Sequence, residues 1–205
     1  MRRLSIALVV AFAWLALPAA APAQTTLTAA QFAAVDAVYA AFDRFDDANG
    51  ATTADRTAAR AACTALGSAD PMLSALRRSC SAQLNVGLAF AAAARCKART
   101  SCLLTARRVR RALSELIVRS RASNRVVTAA GLARACEREL RVSMGTLVYF
   151  SRLRDGFAQL ERALRIRSGT LARRAERRIR ALREPDPRSV AQQRADFQTG
   201  CAPPG

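Results

Sequence analysis

Apolar side chains recur along this chain every three or four residues, the period of helices that bury one face. The first clear example begins at Thr28. Thr28 and Gln31 form a capping box, and Leu27 is placed to staple onto Phe32. Phe32, Val35, Val38, Tyr39, Phe42 and Phe45 then follow at helical spacing, until Asn49-Gly50 supplies a stop. This segment holds three of the eight Phe and one of the two Tyr, so it is expected to anchor the core. A second helix is predicted from about Thr53 to Leu66, closed by Gly67. A third starts at Asp70 as N-cap with Pro71 in the favoured first position, and carries Leu73, Leu76, Cys80, Leu84 and Leu88 on one stripe to about Ala98.

A fourth helix is expected from Thr100-Ser101, with Val109, Leu113, Leu116 and Ile117 inward and Ser123-Asn124 as its end. A long fifth runs from about Thr128 through Leu132, Cys136, Leu140, Leu147, Phe150 and Phe157 to Arg167, with Gly145 and Gly156 as kink positions. Ser168-Gly169-Thr170 reads as a stop and a new cap, followed by a sixth helix over 171–183. Pro185, Pro187, Pro203 and Pro204 mark residues 185–205 as a tail with at most a short turn after Ser189. No alternating β-branched run suggests a strand. The expected fold is all-α: an antiparallel, up-and-down bundle of five to six helices stapled by disulfides.

The apolar run from Leu4 to Leu17 has a different character. It follows Arg2 and Arg3, spans 14 residues and ends at Pro18, ahead of a stretch of alanines. That is the layout of a secretory signal peptide, with cleavage expected between Ala23 and Gln24. The run is short of the ~20 residues that span a bilayer. The chain therefore divides into a leader (1–23), a helical domain (24–184) and the Pro-containing tail (185–205). Export to the periplasm or cell exterior is the expected destination.

That destination makes sense of six cysteines: Cys63, Cys80, Cys96, Cys102, Cys136 and Cys201. An even number in an oxidising compartment reads as three disulfides. Cys96 and Cys102 are symmetric about Arg99, so they should clip the turn between the third and fourth helices. Cys80 stands nine residues above Pro71, roughly 14 Å, and Cys136 stands roughly 14–17 Å above the start of the fifth helix. Equal height pairs Cys80 with Cys136, which leaves Cys63 for Cys201, tethering the tail.

The sequence has no histidine. This removes Ser-His and Cys-His catalysis and the two-His zinc motifs. A calcium loop at Asp43, Asp46, Asp47, Asn49 and Gly50 fails on spacing, because the sixth position from Asp47 is Thr52 and no Glu stands at the twelfth. Glu137 and Glu139, two apart, fall on different faces of a helix and make poor acid–base partners. No cofactor, metal or catalytic residue is expected.

Charge is the remaining signal. The formal net charge is +18, and residues 95–194 alone carry 26 basic against eight acidic side chains. Arg outnumbers Lys 32 to one, a bias that GC-rich coding would produce, but such coding does not explain the shortage of acids. Two clusters stand out: Arg107, Arg108, Arg110 and Arg111, and Arg173, Arg174, Arg177 and Arg178. Arg forks suit phosphate and carboxylate oxygens, so these eight residues are the anion-binding candidates. A solvated face, with some Arg neutralised by the acids of the first helix, would give the same pattern. Few aromatics interleave with the clusters, so nucleic acid is a poor fit. The expected function is non-enzymatic: binding an anionic lipid or envelope polymer through Arg-rich helices. The alternatives are a protein-interaction module or inhibitor of the cell envelope that docks by the aromatic first helix or a basic helix, and, third, a hydrolase of unfamiliar type.

Overall fold

The computed structural model describes residues 25–47 and 52–203. The leader, its cleavage site, the Asn49-Gly50 stop and the rejected calcium loop's end lie outside these. Among the described residues there are eight helices: α1 (Ala29–Asp47), α2 (Thr53–Ala65), α3 (Pro71–Ala93), α4 (Arg99–Ala129), α5 (Arg134–Leu140), α6 (Met144–Arg165), α7 (Gly169–Ala181) and α8 (Val190–Cys201). The only extended pairing among them is a single parallel bridge from Thr25 to Leu132. Among the described residues no helix is long and apolar enough to cross a membrane.

The N-caps of α1 and α3 and the stop of α2 are where the sequence placed them, while α3 ends at Ala93, short of the expected Ala98. The Gln31 amide N–H donates to Thr28 Oγ1 at 3.2 Å, and the Thr28 amide donates to Gln31 Oε1 at 2.9 Å. Leu27 is buried at 2% exposure and Phe32 packs in the same cluster. Asp70 accepts from the Leu73 amide at 2.8 Å. Gly67 closes α2 at φ 75°, a left-handed conformation that costs glycine little.

Helix α4 runs past its expected end at Ser123-Asn124. Asn124 does not compete with its own backbone, because its side chain is spent elsewhere. It donates to Val142 O at 2.7 Å and accepts from the Val142 amide at 2.9 Å. The helix stops instead at Gly131, which adopts φ 65°.

The long fifth helix is in fact two. Thr128 belongs to α4, the backbone is extended at Arg141, and Ser143 caps α6 by accepting from the Thr146 amide at 3.1 Å. The expected tail is also a helix. Ser189 and Gln192 build a full capping box, and Phe197 lies at 0% exposure against Phe32 and Tyr39.

Cys96 is joined to Cys102, but the other two pairings differ from expectation: Cys63 bonds Cys80 and Cys136 bonds Cys201. Equal height failed as a criterion for two reasons. It assumed that partners stand at equal heights on their helices, whereas Cys63, near the end of α2, meets Cys80, nine residues beyond the start of α3. It also measured Cys136 from a helix start that does not exist, since α5 has only seven residues. Helix α8 then delivers Cys201 to α5, where Gly200 allows close contact: a Cβ there would lie 3.4 Å from Ala135.

The buried side chains fall into two clusters. One joins α1, α2, the Met72–Leu84 part of α3, the end of α4, α5 and α8, around Phe42, Phe45, Leu84, Val127 and Phe197. The other joins the far half of α3 to α4, α6 and α7, around Val109, Leu113, Leu116, Leu153 and Phe157. Within the second, neighbours in the chain run antiparallel. Ser79 meets Ser120 at 3.2 Å between α3 and α4, Arg110 meets Glu161 at 2.8 Å between α4 and α6, and Gln159 meets Arg178 at 3.0 Å between α6 and α7.

Candidate functional site

These pairings fix which charges share a level. Arg107 and Arg110 on α4 both reach Glu161 on α6, and Asn124 reaches Val142 farther down the same pair of helices. Gly156 faces Ile179, and Gln159 faces Arg178, between α6 and α7. The start of α4, the end of α6 and the start of α7 therefore stand together at one end of the molecule. Segments 95–111 and 159–180, which build that end, contain fifteen basic residues and two acids, Glu161 and Glu176.

Glu161 is 5% exposed and serves three guanidinium groups at once. Arg107 Nε donates at 3.1 Å, Arg110 Nε at 2.8 Å and Arg165 Nη2 at 2.8 Å. Burial alone would raise the Glu161 pKa, but the hydrogen bonds from Arg110 and Arg107 outweigh it and hold the carboxyl below its ordinary value. One carboxylate cannot neutralise three guanidiniums, so the cluster keeps a positive surplus. Arg110, Arg162, Arg165 and Glu161 line a shallow depression there.

The eight anion-binding candidates thus divide. Arg107 and Arg110 are half-buried and committed to Glu161. Arg108, Arg111, Arg173, Arg174 and Arg177 are exposed. Arg178 is exposed and donates to the neutral Gln159 at 3.0 Å. Arg162, Arg165 and Arg167, which sequence reasoning passed over as the end of a long helix, complete the same end. Their signal was the Ser168-Gly169-Thr170 turn, which folds the next Arg cluster back beside them.

The opposite half has a different charge logic. Four of its arginines, Arg138, Arg141, Arg188 and Arg194, are matched to acids. Arg194 on α8 grips Asp36 on α1 through two bonds of 2.8 and 2.7 Å, and that hydrogen bonding holds the Asp36 carboxyl below its ordinary value. So Asp36 of the first helix meets Arg194, not the Arg cluster of the predicted sixth helix. Arg188 bonds Asp186, Glu139 and Asp196, and Arg141 bonds Glu137.

A cavity of about 510 Å³ is lined by apolar residues of both core clusters, among them Val35, Phe42, Leu116 and Phe150, and by Glu139, Arg141, Asp186 and Arg188 of this paired set. Tyr39 borders it and donates to Glu139 O at 3.0 Å; burial, then the nearby Glu139 charge, pushes its pKa up to about 12. The aromatic face of α1, considered above as a docking surface, is covered within the chain by α8.

Among the described residues no group of three His, Cys, Asp or Glu side chains is placed to hold a metal. All six cysteines are disulfide-bonded. Comparison with protein-family models, with curated proteins and with solved structures finds no match.

Proposed function

We propose that this chain is an exported, non-enzymatic helical protein that binds an anionic component of the cell envelope through its basic end. The antiparallel packing of α3, α4, α6 and α7 supports reading the scaffold as an up-and-down bundle that holds Arg108, Arg111, Arg173, Arg174 and Arg177 at one end. The observation that carries the reading is the mismatch of charge there: fifteen basic residues against two acids, with Glu161 already saturated by arginine. Arginine left exposed and unmatched offers forked donors to phosphate, sulfate or carboxylate oxygens. Three disulfides fit an oxidising compartment, and the leader over 1–23 supplies the route.

The test is binding to dextran sulfate and to phosphatidylglycerol vesicles across a salt series. Surface charge is screened over about 10 Å at 0.1 M salt, so affinity should fall steeply as salt rises. Replacing Arg108, Arg111, Arg173 and Arg174 by Gln should weaken it at every salt concentration. Binding that is absent, or indifferent to salt and to these replacements, refutes the reading.

A further inference from the structure

The basic end also displays apolar side chains that the fold does not use. Six large hydrophobic residues are exposed among those described, and three of them are Leu104 at 60%, Ile166 at 58% and Leu171 at 44%. The register set by Arg107, Arg110 and Glu161 places Leu104 level with about Leu164 on α6. The register set by Gln159 and Arg178 places Leu171 level with about Arg165. All three therefore lie within about one helical turn of the same level: Leu104 in the second turn of α4, Ile166 capping α6 and Leu171 in the first turn of α7. Arg99, Arg108, Arg162, Arg165, Arg167 and Arg173 surround them in sequence and level.

The turn that carries Ile166 is built with an unusual residue. The Ser168 amide bonds Ala163 O at 3.0 Å and the Arg167 amide bonds Leu164 O at 3.4 Å, which is a Schellman closure of α6. Arg167 occupies the left-handed position at φ 60°, where glycine costs least. The fold accepts backbone strain to keep a guanidinium at the tip, next to an exposed isoleucine.

We propose that this end docks onto an anionic lipid bilayer, with Ile166, Leu171 and Leu104 entering the boundary between headgroups and acyl chains. The surrounding arginines hold headgroup phosphates, their apolar stems following the isoleucine and leucines inward. The inference rests on the anion-binding reading above and narrows it from anions in general to a lipid surface. A soluble acidic polymer would satisfy the arginines but would leave three large apolar side chains in water. A bilayer satisfies both. Glu176, the one acid of this end not saturated by arginine, sits more than a turn back from the tip along α7, clear of the docking level.

The experiment uses the chain from Gln24, the form that the expected cleavage after Ala23 would leave. Binding is measured to vesicles of phosphatidylglycerol mixed with phosphatidylcholine, to phosphatidylcholine alone, and to dextran sulfate. I166S/L171S should bind the mixed vesicles about tenfold or more weakly and bind dextran sulfate as the parent does. Arg173→Gln with Arg174→Gln should weaken both. Arg167→Gly should raise the melting temperature while lowering vesicle affinity, an outcome that loss of folding cannot mimic. Ile166→Trp adds the only tryptophan to this form, as Trp14 lies in the leader; its emission should shift to the blue on mixed vesicles and be quenched by lipids brominated along the acyl chain. If I166S/L171S binds vesicles like the parent, or the tryptophan stays in water, bilayer docking is overturned while anion binding stands. If neither vesicles nor dextran sulfate bind, both readings fall.

Discussion

Phe197 stacks on Phe32 with ring centroids 5.0 Å apart and planes tilted by 16°. The contact closes α8 onto α1 across 165 positions of sequence, and Tyr39 adds a second ring at 5.3 Å. The segment that its prolines suggest is a tail is thus part of the first core. Phe197→Ala should cost about 3–5 kcal/mol, the usual range for emptying a buried phenylalanine site. Phe197→Leu should cost less than about 1.5 kcal/mol if the neighbours repack. Urea denaturation reads both; a loss below about 1 kcal/mol for the alanine variant would remove α8 from the core.

The disulfides should differ in worth according to the loops they close. Cys136–Cys201 spans 65 residues, Cys63–Cys80 spans 17 and Cys96–Cys102 spans 6. Loop-closure entropy gives roughly 4, 3 and 2 kcal/mol in that order. Paired Cys→Ser variants should follow this ranking in melting temperature. Peptide mapping without reductant should recover the three pairs, and a Cys80–Cys136 peptide would contradict the packing of α5 on α8.

Acid should reveal the role of Glu161. Its carboxyl is held below the ordinary value of 4.5, so the folded state favours the ionised form. Stability from this group is present above the ordinary value and lost as pH falls through the lowered one. Glu161→Gln should therefore cost about 1–2 kcal/mol at pH 7, discounted for the solvent exposure of the three arginines. The gap between parent and variant should narrow toward pH 3. A gap that widens in acid would mean that the carboxylate is not stabilised by Arg107, Arg110 and Arg165.

Gly156 lets α7 approach α6. A Cβ at this position would lie 2.7 Å from Ile179 Cγ1, closer than packed atoms tolerate. Gly156→Ala should destabilise by about 1–3 kcal/mol through that overlap, against a helix-propensity gain of about 1 kcal/mol. Ile179→Ala should relieve the overlap, so the double variant should be more stable than the sum of the singles by about 0.5–3 kcal/mol. Strict additivity in the cycle would show that the two residues do not touch.

The physical signals in the chain were strongest where they were local. Thr28 with Gln31, Asp70 with Pro71, and Gly67 each act within one turn, and the first three helices start or stop where those residues place them. The all-helical class follows from the same periodicity. Signals that depended on a distant partner were misread. Asn124 looks like a terminator until Val142 is seen to occupy its amide. Ser189 with Gln192 is a capping box of the same form as Thr28 with Gln31, yet the surrounding prolines and the low apolar content hid it. Phe197 offered the one anchor, and a single phenylalanine carries no period.

The candidate site was legible as composition but not as geometry. The two Arg clusters are evident from spacing, whereas their meeting at one end needs the α6–α7 turn and the antiparallel register. Glu161 could not be singled out from sequence, because its three partners are 54, 51 and 4 positions away. The exposed trio Leu104, Ile166 and Leu171 is equally silent in sequence, where each reads as an ordinary core position of an amphipathic helix.

The closure of α8 onto α1 bears on when this molecule can exist as a folded object. Phe32 has no aromatic cover, and Asp36 no guanidinium, until Phe197 and Arg194 have been delivered. In synthesis from the N-terminus nine-tenths of the chain exists before these two partners do, so α1, although α2 and α3 can already cover Phe42 and Phe45, completes its packing only when the last helix arrives.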